Sequence, residues 1–163
     1  MSQRLSFYIH IPYCAKRCGY CDFNTYTPSE LKSGDLDTLS SSYIDSALKE
    51  IEMAAQVAGN ATIPTIFFGG GTPSLLPAAQ LARVIEAIRG RFTLDKDIEI
   101  TLEANPDSLT QEFLDEIKSA GATRISMGMQ SAVGSVLKVL DRTHNLKALD
   151  AQFQWLELLV LNM

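Results

Sequence analysis

The sequence predicts an α/β fold, a parallel sheet of about four βα units, and two observations carry that prediction. Four short apolar segments rich in β-formers, at residues 7–11, 65–68, 98–102 and 123–127, are each followed by a loop and, in most cases, by a pattern of helical period. Parallel neighbours need a long crossover, and a helix packed over the sheet in the right-handed sense supplies it. Periodicity leaves barrel and open sheet undecided. A complete eight-unit barrel takes about 250 residues, so four βα units in 163 residues amount to about half of one.

In chain order, the first strand runs Phe7 to Ile11 and leads into a loop that holds all the cysteines. Residues 27–42 are polar and carry Ser40, Ser41 and Ser42, which predicts a flexible loop. Ile44, Ala47, Leu48, Ile51, Ala54, Ala55 and Ala58 then recur at helical spacing until Gly59 stops them, with Met53 expected in the core. After the second strand, Pro77 suits a first helical turn, and Leu81, Val84, Ile85 and Ile88 form one stripe that ends at Gly90. After the third, Ser108 and Gln111 have capping-box spacing, and Phe113, Leu114 and Ile117 face inward before Gly121.

Composition narrows the function. The chain is 46% hydrophobic and 20% charged, with a formal charge of −5. At this length about two thirds of the unfolded surface can be buried, so no disulfide staple is needed. The acidic balance lacks the basic stripe that a phosphate backbone demands, which argues against nucleic acid. Residues 60–82 carry no charge, yet Pro64, Pro73, Pro77 and three consecutive glycines leave no continuous helix to span a bilayer. His10, Pro12 and Tyr13 interrupt the apolar run that would otherwise imitate a signal peptide. A cytoplasmic location is the expectation.

The three cysteines fall in the run Cys14-Ala15-Lys16-Arg17-Cys18-Gly19-Tyr20-Cys21. An odd count in so short a loop is no disulfide framework. Three thiolates can converge on zinc, with His10 as the one near fourth ligand, or on an iron–sulfur cluster that keeps one iron open to a small molecule. The spacing favours the cluster. Lys16 and Arg17 are placed to offset its negative charge, and Tyr20 and Phe23 to shield it from water.

Two further features carry chemistry. Gly69-Gly70-Gly71-Thr72-Pro73 follows the second strand, and three glycines let backbone approach a ligand closely. It lacks the Lys of a phosphate loop and does not satisfy GxGxxG. Glu103, in Thr101-Leu102-Glu103-Ala104-Asn105-Pro106-Asp107, stands at the C-terminal end of a strand, the side on which α/β barrels bind ligands, and a carboxylate there can accept two ribose hydroxyls. Gln130, in Ser126-Met127-Gly128-Met129-Gln130-Ser131, is a neutral polar group at the next strand end. Met127 and Met129 receive no role.

The stretch Tyr8-Ile9-His10-Ile11-Pro12-Tyr13-Cys14-x3-Cys18-x2-Cys21-Asp22-Phe23 resembles the signature of the radical S-adenosylmethionine (SAM) superfamily. More narrowly it is similar to the branch of HemW-like heme chaperones and oxygen-independent coproporphyrinogen III oxidases (dehydrogenases). The oxidase has a further cysteine two positions after the third, where this chain has Phe23, so the chaperone side is favoured. The resemblance implies the N-terminal part of a partial (β/α) barrel, with a 4Fe-4S cluster on Cys14, Cys18 and Cys21. It also implies SAM contacts at Tyr8, Gly71, Thr72, Glu103, Gln130 and, in Leu140-Asp141-Arg142-Thr143-His144, at Arg142.

Heme or porphyrin, haemoprotein recipients and a flavodoxin- or ferredoxin-type electron donor are the partners so implied, with His10 and His144 the only histidines that can ligate heme iron. The rival readings are coproporphyrinogen III oxidation and a non-catalytic fragment that binds a cluster or zinc. The resemblance runs from about Ser6 to about His144. Residues 1–163 are therefore expected to form a single incomplete core domain with an atypical tail at 145–163, from a frameshift or truncation, and the chain is short for an active enzyme.

Overall fold

The computed structural model describes residues 3–31 and 35–142. His144 and the tail at 145–163 lie outside the described residues. The strands are β1 (Phe7–Ile11), β2 (Thr62–Gly70), β3 (Thr93–Ala104) and β4 (Arg124–Met127). The helices are α1 (Pro28–Leu31), α2 (Leu36–Ala58), α3 (Ala78–Arg91), α4 (Gln111–Ser119) and α5 (Gly134–Val139). Every strand pair is parallel, in the order β1-β2-β3-β4. A doubly wound sheet reverses direction at a switch point; here each crossover steps one strand further the same way, which is the arc of a barrel. The choice that periodicity left open is thus made by strand order.

The outer face of the arc carries the core. Ile9, Ile11, Ile66, Phe68, Ile100 and Leu102 alternate along the strands and pack under Ile44 and Ile51 of α2, Leu81, Val84, Ile85 and Ile88 of α3, and Ile117 of α4. Each such side chain, buried from water, contributes about 1.5–3 kcal/mol of transfer free energy. The inner face is polar: register sets Tyr8 beside Phe67 and His10 beside Gly69, Phe67 beside Thr101, and Thr101 and Glu103 beside Arg124 and Ser126.

Several expectations are corrected. Residues 27–42 are largely helical: α1 lies within them, and α2 begins at Leu36 because the Asp35 side chain accepts from Asp37 N–H as its N-cap. The serines do not break α2, since Ser40 Oγ donates to Asp37 O at 3.0 Å and Ser46 Oγ to Ser42 O at 3.0 Å. Met53 is 63% exposed; two residues past Ile51, it sits about 200° round the helix from that buried position. Gly90 does not end α3, which continues to Arg91. Thr110 caps α4, accepting from Phe113 N–H at 3.1 Å, while Ser108 lies in a 3-10 turn (Pro106–Ser108).

Strands β2 and β3 are longer than expected. Pro64 cannot donate to a ladder, and the β2–β3 register shifts there, between Ile63 and Thr65. The first half of β3 hides its strand character behind Asp95, Lys96 and Asp97; Asp95 pairs with Arg4 at 2.8 Å. No helix among the described residues is long and apolar enough to cross a membrane.

Candidate functional site

Strand β1 delivers the chain directly into the cysteine loop, and the loop's two ends are tied together. Tyr26 N–H donates to Pro12 O at 2.7 Å and Cys14 N–H to Tyr26 O at 3.0 Å, with Tyr13 and Tyr26 bridged in parallel. Helix α2 braces this base: Tyr13 is buried, its hydroxyl donates to Leu39 O at 3.1 Å, and Tyr43 Oη donates to His10 O. Within the loop, Cys21 N–H donates to Cys18 O at 3.1 Å, and all three cysteines are free and half-buried. Burial pushes the Cys14 thiol above its ordinary pKa, against a hydrogen bond from Thr72 that lowers it.

The glycines are glycines for packing reasons. At Gly71 a β-carbon would stand 2.4 Å from Tyr13 O and 2.8 Å from Ile11 O, so the turn lies flat against the backbone that starts the cysteine loop. Gly71 N–H donates to Ile11 O and Thr72 N–H to Tyr13 O, each at 2.7 Å. Gly70 has φ +104°, and a β-carbon there would meet the His10 ring at 2.6 Å. Those two amides are spent on structure, which leaves carbonyl groups as what this turn can offer to a ligand.

The ends of β3 and β4 complete the wall. A cavity of about 330 Å³ is lined by Cys14, Cys18 and Cys21, by Gly70, Gly71 and Thr72, and by Glu103, Gln130 and Arg142. Eight of the nine predicted site residues, Cys14, Cys18, Cys21, Gly71, Thr72, Glu103, Gln130 and Arg142, thus share one cavity. That size is at the small end of the range for organic ligands. Glu103 Oε2 accepts from Gly70 N–H at 3.3 Å, and Gln130 adopts φ +63° in the turn after β4. Arg142 reaches back across the chain: Nη1 lies 3.3 Å from Cys18 Sγ, and Nη2 donates to Asn105 Oδ1 at 2.6 Å and Gly128 O at 2.7 Å.

Tyr8 is the ninth, and it is not among the lining residues. Its ring stacks on Phe67 at 6.0 Å and its hydroxyl meets His10 Nδ1 at 3.2 Å. Burial, and then the Glu103 carboxylate, raise its phenol pKa. The charge expected from Lys16 and Arg17 is also redistributed. Lys16 pairs with Asp141 at 2.8 Å, and Arg17 donates to Thr25 O and pairs with Glu30 at 3.0 Å, so the guanidinium that faces a thiol is that of Arg142. Tyr20 and Phe23 line the cavity but are 49% and 62% exposed, a partial shield at most.

His10 is fully engaged, with Nε2 donating to Asn24 O at 2.9 Å, which leaves no nitrogen free for heme iron. Sequence reasoning assigned no role to Asn105, Ser126 and Met127, which also line the cavity. Asn105 was within reach, because it stands two residues past Glu103 at the same strand end.

Comparison with known proteins bears on the family and the fold. The family model described as the Radical SAM superfamily matches residues 8–156, a span that continues past His144. The heme chaperone HemW of Mycobacterium tuberculosis (strain CDC 1551 / Oshkosh) is 44% identical over 143 residues, 88% of this chain and 36% of that protein. The heme chaperone HemW of Escherichia coli (strain K12) is 39% identical over 141 residues, 86% of this chain and 35% of the relative. Among solved structures, coproporphyrinogen III oxidase (HemN) from Escherichia coli, described as a radical SAM enzyme, superposes with a TM-score of 0.87 at 26% identity, covering 99% of this chain and 36% of that one. The chain therefore spans about a third of the length of the proteins it matches.

Proposed function

The chain belongs to the Radical SAM superfamily, and on that premise we propose that it is the cofactor-binding part of a HemW-like heme chaperone: it holds a 4Fe-4S cluster and S-adenosylmethionine and serves delivery of heme to haemoproteins. The observation that carries this reading is the convergence of the three cysteines, the glycine turn, Glu103, Gln130 and Arg142 on one cavity.

The residues present suit the group. Among the described residues no three His, Cys, Asp or Glu side chains are gathered tightly enough to hold a single metal ion; a cluster asks less, because each cysteine meets a different iron. Hydroxyl and guanidinium donors already face Cys14 and Cys18. Arg142 Nε is buried with no hydrogen-bond partner among the described residues, a donor left over for an anionic group such as a carboxylate. When bound, the cluster supplies one-electron cleavage of SAM. Cys14, Cys18 and Cys21 hold three irons; carbonyls of the Gly69–Gly71 turn accept the ammonium of the cofactor; Glu103 accepts its ribose hydroxyls; Gln130 and Arg142 orient the remainder. Tyr8, held beside His10, backs this wall from the inner face.

The two chaperone relatives support heme as the cargo. The solved neighbour favours coproporphyrinogen III oxidation as the rival, and Phe23, where that enzyme's branch is expected to have a further cysteine, counts against it. Anaerobic cluster reconstitution followed by electron paramagnetic resonance, with and without SAM, tests the reading. A four-iron signal that changes on adding SAM is expected; a chain that takes up no cluster, or whose signal ignores SAM, sinks it. Heme titration and assay for 5′-deoxyadenosine then separate chaperone from oxidase.

A further inference from the structure

Both ends of the Asn105 amide are engaged. Oδ1 accepts from Arg142 Nη2 at 2.6 Å, and Nδ2 donates to Thr72 Oγ1 at 3.2 Å. Beyond them, Thr72 Oγ1 donates to Cys14 Sγ at 3.8 Å and Arg142 Nη1 to Cys18 Sγ at 3.3 Å. One amide thus joins two of the three cysteines through a continuous path of hydrogen bonds. Its backbone is anchored as well: Asn105 N–H donates to Ser74 Oγ at 3.3 Å, and its carbonyl accepts from Ser108 N–H at 3.1 Å and Oγ at 2.9 Å.

The polarity of the path is forced. A guanidinium only donates, so the amide atom facing Arg142 is oxygen; the nitrogen then faces Thr72, and the threonine hydrogen is left to point at sulfur. Asparagine is the side chain of this length that accepts on one arm and donates on the other. Aspartate accepts on both, which turns the Thr72 hydroxyl away from Cys14 and adds a negative charge beside the thiolates. Donors to ligand sulfur stabilise the more negative, reduced form of an iron–sulfur cluster.

We propose that Asn105 is a positioning residue that holds Thr72 and Arg142 as paired donors on the Cys14 and Cys18 sulfurs and thereby raises the reduction potential of the cluster those cysteines bind. The inference rests on the cluster reading above and adds what sets the cluster's ease of reduction.

The test is the midpoint potential of the reconstituted full chain without SAM, from a dithionite titration followed by electron paramagnetic resonance. Asn105→Ala is expected to shift the midpoint to more negative potential and Asn105→Asp to shift it further, at the iron content of the unsubstituted protein. Thr72→Val shifts it in the same direction but adds little in the Asn105→Ala background, because the hydroxyl has already lost its orientation. Unchanged midpoints at full iron content overturn the proposal, as do Thr72 and Asn105 shifts that simply add. Loss of iron from Asn105→Asp with an unaltered circular dichroism spectrum also counts against it, since all three ligands remain. An unsubstituted chain that takes up no cluster removes the underlying reading instead, and the proposal with it.

Discussion

His10 Nε2 donates to the carbonyl of Asn24 at 2.9 Å, tying the end of β1 to the far side of the cysteine loop. A carbonyl only accepts, so the ring proton is on Nε2, and Nδ1 is left to accept from Tyr8 Oη at 3.2 Å. The imidazole also fills the space a β-carbon at Gly70 would need. This is a bracing histidine, both of whose ring nitrogens are committed to the site's frame.

Heme ligation should therefore be indifferent to it. In a heme titration, His10→Ala is expected to keep the Soret position of the unsubstituted protein while the cysteine loop becomes more susceptible to proteolysis. A Soret shift on this substitution, with the loop's protease sensitivity unchanged, would reverse the assignment.

Two glycines of opposite meaning give a stability prediction. Gly71→Ala drives a methyl into the Tyr13 and Ile11 carbonyls and should cost about 1–3 kcal/mol or more, since backbone must move. Gly90 lies inside α3 with nothing within 4 Å of an added β-carbon, so Gly90→Ala should stabilise by about 0.5–1 kcal/mol. Urea denaturation of the two variants checks both signs, and equal effects would refute the packing argument.

Glu103 stands in the cavity, where its carboxylate accepts from the Gly70 amide at 3.3 Å. Replacing it by the neutral isostere Gln should weaken SAM binding about tenfold or more, the worth of a charge-assisted hydrogen bond of about 1.5–3 kcal/mol. The SAM concentration needed to change the spectrum of the reduced cluster measures this. An unaltered concentration dependence would remove Glu103 from the cofactor's contacts.

Cys14 predicts a pH dependence for the cluster-free protein. Burial raises its thiol pKa in the fold, so folding prefers the neutral thiol. The stabilising contribution is whole below the unfolded thiol value of about 8.5 and is lost as pH rises through the higher folded value. Denaturation midpoints should fall over that alkaline range, and Cys14→Ser should flatten the fall. A profile of the same slope in Cys14→Ser would assign the effect to other groups.

The sequence by itself determined the alternation of strands and helices, because burial on one side of a sheet writes period two and period 3.6 into the chain. It grouped the cysteines too, since three thiols within eight residues belong to one loop, and the fold sets all three on one cavity. It misread the start of α2, where the Asp35 cap outweighs a run of serines, and the first half of β3, where exposed charges conceal a strand paired to β2. Tertiary structure decided three things: strand order, which bears out the barrel arc that the motif resemblance implied; that Arg142, not Lys16 or Arg17, faces a cysteine sulfur; and that Asn105 is held by Thr72 and Arg142, partners far along the chain. The reason is common to all three. Local periodicity records which face of an element is apolar, whereas which polar groups meet depends on how crossovers place strand ends side by side, and no short window of sequence contains both partners.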